Sequence, residues 1–106
     1  MNGLEKSRRA VFDTAGGLAA GKRPFLESIR KLAALRFDVS QDDHDPDFML
    51  FVAIASESDH LPPHEIRSHC TSAWLEKCDR DAQELESLHR EQVRVACMRL
   101  LSRFTE

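Results

Sequence analysis

The sequence predicts one all-α domain over residues 1–106, a compact bundle of four or five helices with a central apolar helix and a long C-terminal helix. The 106 residues, 42% hydrophobic and 31% charged, are typical of a single globular domain with its own core. Apolar residues recur at helical spacing along most of the chain. The four prolines, at 24, 46, 62 and 63, fall between those stretches, where helices begin or end.

The first predicted helix spans residues 4–20. Its apolar residues share one face: Leu4, Val11, Ala15 and Leu18. Gly16 and Gly17 each weaken a helix by roughly 1 kcal/mol, so the helix kinks or ends there. The glycine-containing run at 17–22 is followed by Arg23 instead of Ser or Thr, so it does not match a phosphate-binding loop. We interpret Gly21 as the boundary between two helices.

A second helix is predicted over residues 24–37, with Arg30 on its charged face. Arg36 falls within the apolar stripe, and two interpretations stay open. The side-chain stem can lie along apolar surface while the guanidinium reaches water near the helix C-terminus. Alternatively, Arg36 makes a bidentate contact with Glu57 or Asp59 at the end of the central helix.

The central helix is predicted over residues 46–58. Residues 48–55 are all apolar, so periodicity alone does not separate a buried helix from a buried strand. The start of the segment favours a helix, because Asp45 can cap it, Pro46 fits its first position and Asp47 complements the helix dipole. A strand would also need partner strands, and no other segment reads clearly as one.

The net charge of −3 conceals a segregation along the chain. Residues 1–37 carry eight basic and three acidic residues, residues 38–65 carry eight acidic residues and no Lys or Arg, and residues 66–106 carry seven of each. The acidic segment 38–65 is either neutralised by the basic front of the chain or presented to a basic partner. Asp42, Asp43 and Asp45 crowd together there, but the loop lacks the glycine of a calcium loop.

Polar residues follow the central helix and give a second candidate site. Glu57, Asp59 and His60 sit at its end, and His64 follows soon after. A metal-binding or hydrolytic site built from these four is one alternative. His60, His64, His69, Cys70 and Cys78 are ligand types for zinc, but their spacing matches no zinc finger. We therefore expect no metal, no cofactor and no catalytic residue, and an enzyme is the less favoured class.

A helical turn over 63–69 precedes one long helix over 73–104, capped by Thr71 or Ser72. One stripe along it predicts the buried face: Trp74, Cys78, Ala82, Leu85, Leu88, Gln92, Ala96 and Leu100. From Val95 onward the helix is apolar on most sides, so this part is deeply buried or contacts a partner subunit. An unbroken helix of this length measures about 48 Å, against a radius of gyration of about 13 Å for a compact domain. The helix therefore breaks near 88–92, or projects and pairs with another chain.

Several runs resemble a family of short bacterial proteins of unknown function: Gly-Lys-Arg-Pro-Phe-Leu-Glu at 21–27, then 29–36, 47–62 and 67–74. The resemblance covers about residues 18–104. It implies a bacterial cytoplasmic protein and no assigned activity.

The favoured hypothesis is a non-enzymatic protein-interaction module, inhibitor-like or immunity-like, that meets a basic partner through its acidic segment. Its candidate binding residues are Arg36, Asp42, Asp43, Asp45, Glu57, Asp59 and His60. A structural homodimer through the last helix is a further alternative. Interrupted basic residues and few aromatic residues argue against nucleic acid, and no apolar run reaches the ~20 residues that span a bilayer. The N-terminus has no apolar signal core and the three cysteines form no framework, so we expect a cytoplasmic protein.

Overall fold

A computed structural model describes residues 3–105 as an all-α bundle and confirms the predicted fold class. Four α-helices cover most of these residues: α1 (Gly3–Ala19), α2 (Phe25–Val39), α3 (Pro46–Glu57) and α4 (Ser72–Phe104). A 3-10 helix (His64–His69) lies in the connector between α3 and α4, where a helical turn was predicted. Within the described part of the chain, no helix is long and apolar enough to cross a membrane.

The helix α1 runs unbroken through Gly16 and Gly17, so the predicted kink is absent. It ends in a tight turn that requires a glycine: Gly21 has φ of 70°, in the left-handed region. The N–H of Gly21 donates to the Leu18 carbonyl, and the N–H of Lys22 donates to the Gly17 carbonyl. This is the Schellman arrangement, and it turns the chain directly into α2.

The helix α3 is the central element, and the strand alternative for residues 48–55 is wrong. Asp45 caps it, with its side chain accepting a hydrogen bond from the Asp47 N–H, and Pro46 occupies the first position as predicted. Phe48, Phe51 and Ile54 are fully buried. These residues join one core shared by all four helices: Val11, Ala15, Leu18, Ile29, Leu32, Ala33, Phe48, Phe51, Ile54, Val93, Ala96, Cys97, Leu100 and Phe104.

The last third of α4 packs antiparallel to α1 and completes the bundle. Arg8 lies over the Phe104 ring, 5.0 Å from its centroid, while Leu101 lies 3.6 Å from the Cβ position of Gly16, two turns further along α1. The Phe104 ring also meets Phe48 edge to face at 6.2 Å. Burial of these rings fixes the C-terminal end of α4 against the start of α3.

The first two thirds of α4 project beyond this core. The helix is unbroken over 33 residues, so the predicted break near 88–92 is absent and the helix projects. Its pairing with another chain stays a prediction. The molecule is accordingly elongated, with dimensions of 45 × 27 × 25 Å. Across residues 72–92 only Cys78 is buried. The predicted buried stripe is therefore wrong at three positions in this region, where Trp74, Leu88 and Gln92 are exposed.

Two polar contacts tie the connector to the projecting part of α4. The Arg67 guanidinium makes a bidentate contact with Asp79, at 3.0 and 3.2 Å. His60 Nε2 lies 3.1 Å from an Asp81 carboxylate oxygen. Leu61, the next residue after His60, is buried. The connector is therefore attached to the bundle through Leu61 and to α4 through His60 and Arg67.

Candidate interaction groove

The two ends of α3 hold most of the polar residues that the sequence singled out, and each end is fastened to another helix. At the N-terminal end, the Asp45 carboxylate accepts hydrogen bonds from Ser40 Oγ at 2.8 Å and from Arg103 Nη1 at 3.0 Å. The same Arg103 nitrogen lies 2.9 Å from an Asp47 carboxylate oxygen. Asp45 is buried, so its oxygens are already occupied by partners within the chain.

Burial alone would raise the pKa of Asp45, but its hydrogen-bond partners outweigh that effect. Donation from Ser40, from Arg103 and from the Asp47 backbone N–H, together with the charge of Arg103, holds the pKa below its ordinary value. The carboxylate therefore stays ionised near neutral pH and acts as a helix cap. Its predicted role in binding a partner stays a prediction.

At the C-terminal end of α3, the arginine of α2 that makes contact is Arg30 and not Arg36, and it contacts backbone carbonyls instead of a carboxylate. Arg30 Nη2 lies 2.6 Å from the Ser58 carbonyl and 3.1 Å from the Leu61 carbonyl, so it caps the negative end of the helix dipole. Arg36 instead donates to the carbonyl of Ala33 in its own helix and stacks on the Phe37 ring at 3.9 Å. The bidentate contact of Arg36 with Glu57 or Asp59 is therefore absent, and the side chain stays on the surface of its own helix.

The residues of the proposed metal or hydrolytic site are directed to different partners. Glu57 lies 3.5 Å from His89 Nε2, within ion-pair distance but without hydrogen-bond geometry. His60 contacts Asp81, which Lys77 also contacts at 3.2 Å. Among residues 3–105, no three His, Cys, Asp or Glu side chains are placed to hold a metal ion. The geometry therefore supports ion pairs that fasten the connector and α3 to α4.

The acidic segment 38–65 is divided rather than gathered on one surface. Its carboxylates in contact with other helices of the described chain meet α4, at Arg103 at one end and at His89 at the other, and not the basic front of the chain. Asp42 accepts from the His44 N–H and is exposed, as is Asp43. Asp59 is exposed at the opposite end of α3. Because α3 separates these carboxylates, they form no common patch.

A groove of about 650 Å³ lies where α4 projects past the bundle. Its walls are the first turns of α2, the proline-containing connector and the inner face of α4. Apolar side chains line much of it: Pro24, Phe25, Leu26, Leu61, Pro62, Pro63 and Ala82. The groove exists because α2 begins at Phe25, so no helix of the bundle covers this part of α4. Its volume is within the range of sites that bind small ligands or short peptide segments.

The charges around the groove leave an acidic rim. Arg30 and Arg67 line it, but Arg30 is bonded to carbonyls and Arg67 to Asp79. Glu27 and Glu65 are exposed there and have no ion-pair partner among residues 3–105. The site therefore offers an apolar surface beside two free carboxylates.

Sequence reasoning missed this groove almost entirely. Of its lining residues, only His64 and Cys78 had been singled out as possible ligands, and those for a metal ion. The connection between Arg30 and Ser58 spans 28 positions, so no local pattern could show it. A usable signal was present in the two consecutive prolines after α3, since such a segment cannot continue a helix and forms a fixed wall.

Comparison with known proteins finds no matching family model, no similar curated protein and no similar solved structure.

Proposed function

We propose that this protein is a non-enzymatic interaction module that binds a segment of another protein in the groove between α2, the connector and α4. The partner segment carries apolar side chains for the groove and Lys or Arg residues for its rim. The proposal keeps the hypothesis that the acidic segment 38–65 binds the partner, but it restricts the contact to the end of that segment. Residues 61–65 form one wall of the groove, and Glu65 supplies one of the two free carboxylates. Inhibitor-like or immunity-like behaviour fits such a module.

The observation that carries the proposal is the low burial of the projecting part of α4. In a folded protein, a helix is stabilised mainly by packing its apolar face against other elements. Residues 72–92 bury only Cys78. Ala82 and Leu85, on the inner side, stay half-buried. A partner segment in the groove would complete the packing of this part of the helix.

The setting of the protein is part of the proposal. Cys70, Cys78 and Cys97 are all free thiols, which suits a reducing compartment. The resemblance to short bacterial proteins supports a bacterial cytoplasmic setting.

Binding of a model peptide tests the proposal. The probe is a short fluorescent amphipathic peptide of leucine and lysine, and its counterpart has glutamate in place of lysine. We expect fluorescence anisotropy to show binding of the lysine peptide, weakened by salt, and little binding of the glutamate peptide. Equal binding of the two peptides would contradict the proposal.

Two pairs of variants locate the binding. Ala82→Trp fills the groove and should weaken binding by about tenfold or more, whereas Ala73→Trp, at an exposed position of the same helix outside the groove, should not. Reversal of both Glu27 and Glu65 to Lys should remove binding. Reversal of Asp42 and Asp43 to Lys, far from the groove, is the matched control, and loss of binding there would assign the peptide to the acidic loop instead.

A homodimer through the last helix is the second candidate function. It is favoured by a separate observation, since the outer face of α4 exposes large apolar side chains: Trp74, Leu88, Val95 and Met98. At about 100° per residue, Leu88 and Ala82 lie roughly 120° apart around the helix, so this face and the groove are different surfaces.

A further inference from the structure

The outer face of α4 carries an apolar stripe that nothing in the described chain covers. Leu88 is 73% exposed, Met98 51% and Val95 39%. Leu88 and Val95 are seven residues apart, so they lie about 10 Å apart along nearly the same line of the helix. Exposed apolar side chains aligned in this way mark an interaction surface more often than isolated ones do.

The charges beside this stripe have opposite signs and symmetric spacing. Glu84 lies four residues before Leu88, and Arg99 lies four residues after Val95. Both lie on the face of the helix that carries the stripe, within about 40° of Leu88. Neither has an ion-pair partner among residues 3–105, whereas Glu91 and Arg94, which lie between them in the sequence, are paired with each other at 2.6 Å.

This pattern fits a second copy of α4 in the antiparallel direction. A twofold axis midway between Leu88 and Val95 places each Leu88 against Val95 of the other copy. The same axis places Glu84 against Arg99 of the other copy, twice. A parallel pair would instead bring Glu84 to Glu84 and Arg99 to Arg99, which are like-charge contacts. The two Glu91 side chains would lie near the axis, where the bidentate contact of each with its own Arg94 offsets their repulsion.

We propose that two copies of this chain associate through the outer faces of α4, antiparallel, with reciprocal Leu88–Val95 packing and reciprocal Glu84–Arg99 ion pairs. The interface is isologous, because the same patch serves both copies. It is independent of the groove, which stays open on the other side of α4.

Sedimentation equilibrium of the whole protein, from micromolar to millimolar concentration, measures the association. Leu88→Glu should raise the dissociation constant by about tenfold or more, because it places a charge in the apolar centre. Phe37→Glu is the matched control, since Phe37 is an exposed apolar residue on another helix and the change in charge is the same. Circular dichroism checks that both variants fold. A wild-type protein that stays monomeric throughout, or association unaffected by Leu88→Glu, would overturn the proposal.

Charge reversal tests the antiparallel register. Glu84→Arg alone and Arg99→Glu alone should each weaken self-association by about tenfold, because each reversal turns both ion pairs into like-charge contacts. An equimolar mixture of the two single variants should associate about as well as the wild type. In the mixed pair, the introduced arginine of one variant would face the introduced glutamate of the other, and the native Arg99 would face the native Glu84. Failure of the mixture to associate would rule out this register. The peptide-binding assay on the groove is unaffected by any of these outcomes.

Discussion

Replacement of Arg30 by methionine should destabilise the protein strongly, because Arg30 closes the C-terminal end of the central helix. Arg30 Nη2 lies within 3.2 Å of three acceptors, the Ser58 carbonyl, Ser58 Oγ and the Leu61 carbonyl. A guanidinium Nη atom carries two N–H bonds, so these contacts amount to at most two full hydrogen bonds. Ser58 is fully buried, and water cannot easily take over from the arginine.

The expected loss of unfolding free energy is about 2–3 kcal/mol. Each hydrogen bond from a charged donor contributes about 1.5–3 kcal/mol. The loss is smaller than the sum, because the Ser58 carbonyl keeps a second hydrogen bond from the Leu61 N–H at 2.9 Å. The corresponding decrease in melting temperature is about 10–20 °C for a chain of this size.

Urea unfolding followed by circular dichroism measures this loss. Lys31→Met is the matched control, since Lys31 is the exposed neighbour of Arg30 and lysine and methionine have similar helix propensities. We expect Lys31→Met to change the stability by less than about 0.5 kcal/mol. If the two variants were equally stable, the Arg30 contacts would not hold α3 and the reasoning would fail.

Three further outcomes are expected. Arg103→Leu should lower the free energy of unfolding, measured in urea, by about 1–2 kcal/mol, because it leaves the buried Asp45 carboxylate without its ion pair. The loss is moderate because water still reaches this end of the helix. An unchanged free energy of unfolding would show that the pair is energetically neutral. Because the pKa of Asp45 is lowered in the folded state, its contribution is complete above the ordinary value of 3.8 and is lost as the pH falls through the lower folded pKa. The acid-induced loss of stability should therefore be smaller in Asp45→Asn, and an unchanged pH profile would contradict this. A thiol reagent should modify Cys70 in the native protein and reach Cys97 only on unfolding, since Cys97 is buried in the core and burial raises its pKa to about 12. Equal reaction rates for these two thiols would contradict the packing.

The fold could be predicted where the signal is local. The capping of α3 follows from three consecutive residues, Asp45, Pro46 and Asp47, whose roles depend only on their neighbours. Thr71 was likewise a predicted cap, and its Oγ1 accepts a hydrogen bond from the Trp74 N–H. Helix bounds set by such caps agree with the structure to within two residues.

The site could not be predicted because it depends on where the bundle stops. A helical pattern gives the apolar side of α4, but it contains no information on how far the other helices extend alongside. Ala82 and Leu100 belong to the same predicted stripe and lie on the same line of the helix, yet Leu100 is fully buried against the bundle and Ala82 is only half-buried beside the groove. The contact of Arg30 could not be predicted for a related reason. Arg30 lies on the charged face of α2, and only the folding of the chain brings Ser58 to that face.

Amide hydrogen exchange along α4 tests the central claim, that its projecting part is a binding element, most directly. In dilute protein without peptide we expect residues 72–92, which bury one side chain, to exchange much faster than residues 93–104, which belong to the core. Addition of the leucine–lysine peptide should slow exchange in residues 72–92 specifically. Slow exchange there in the dilute protein, unchanged by the peptide, would show that α4 is complete without a partner and would contradict the account.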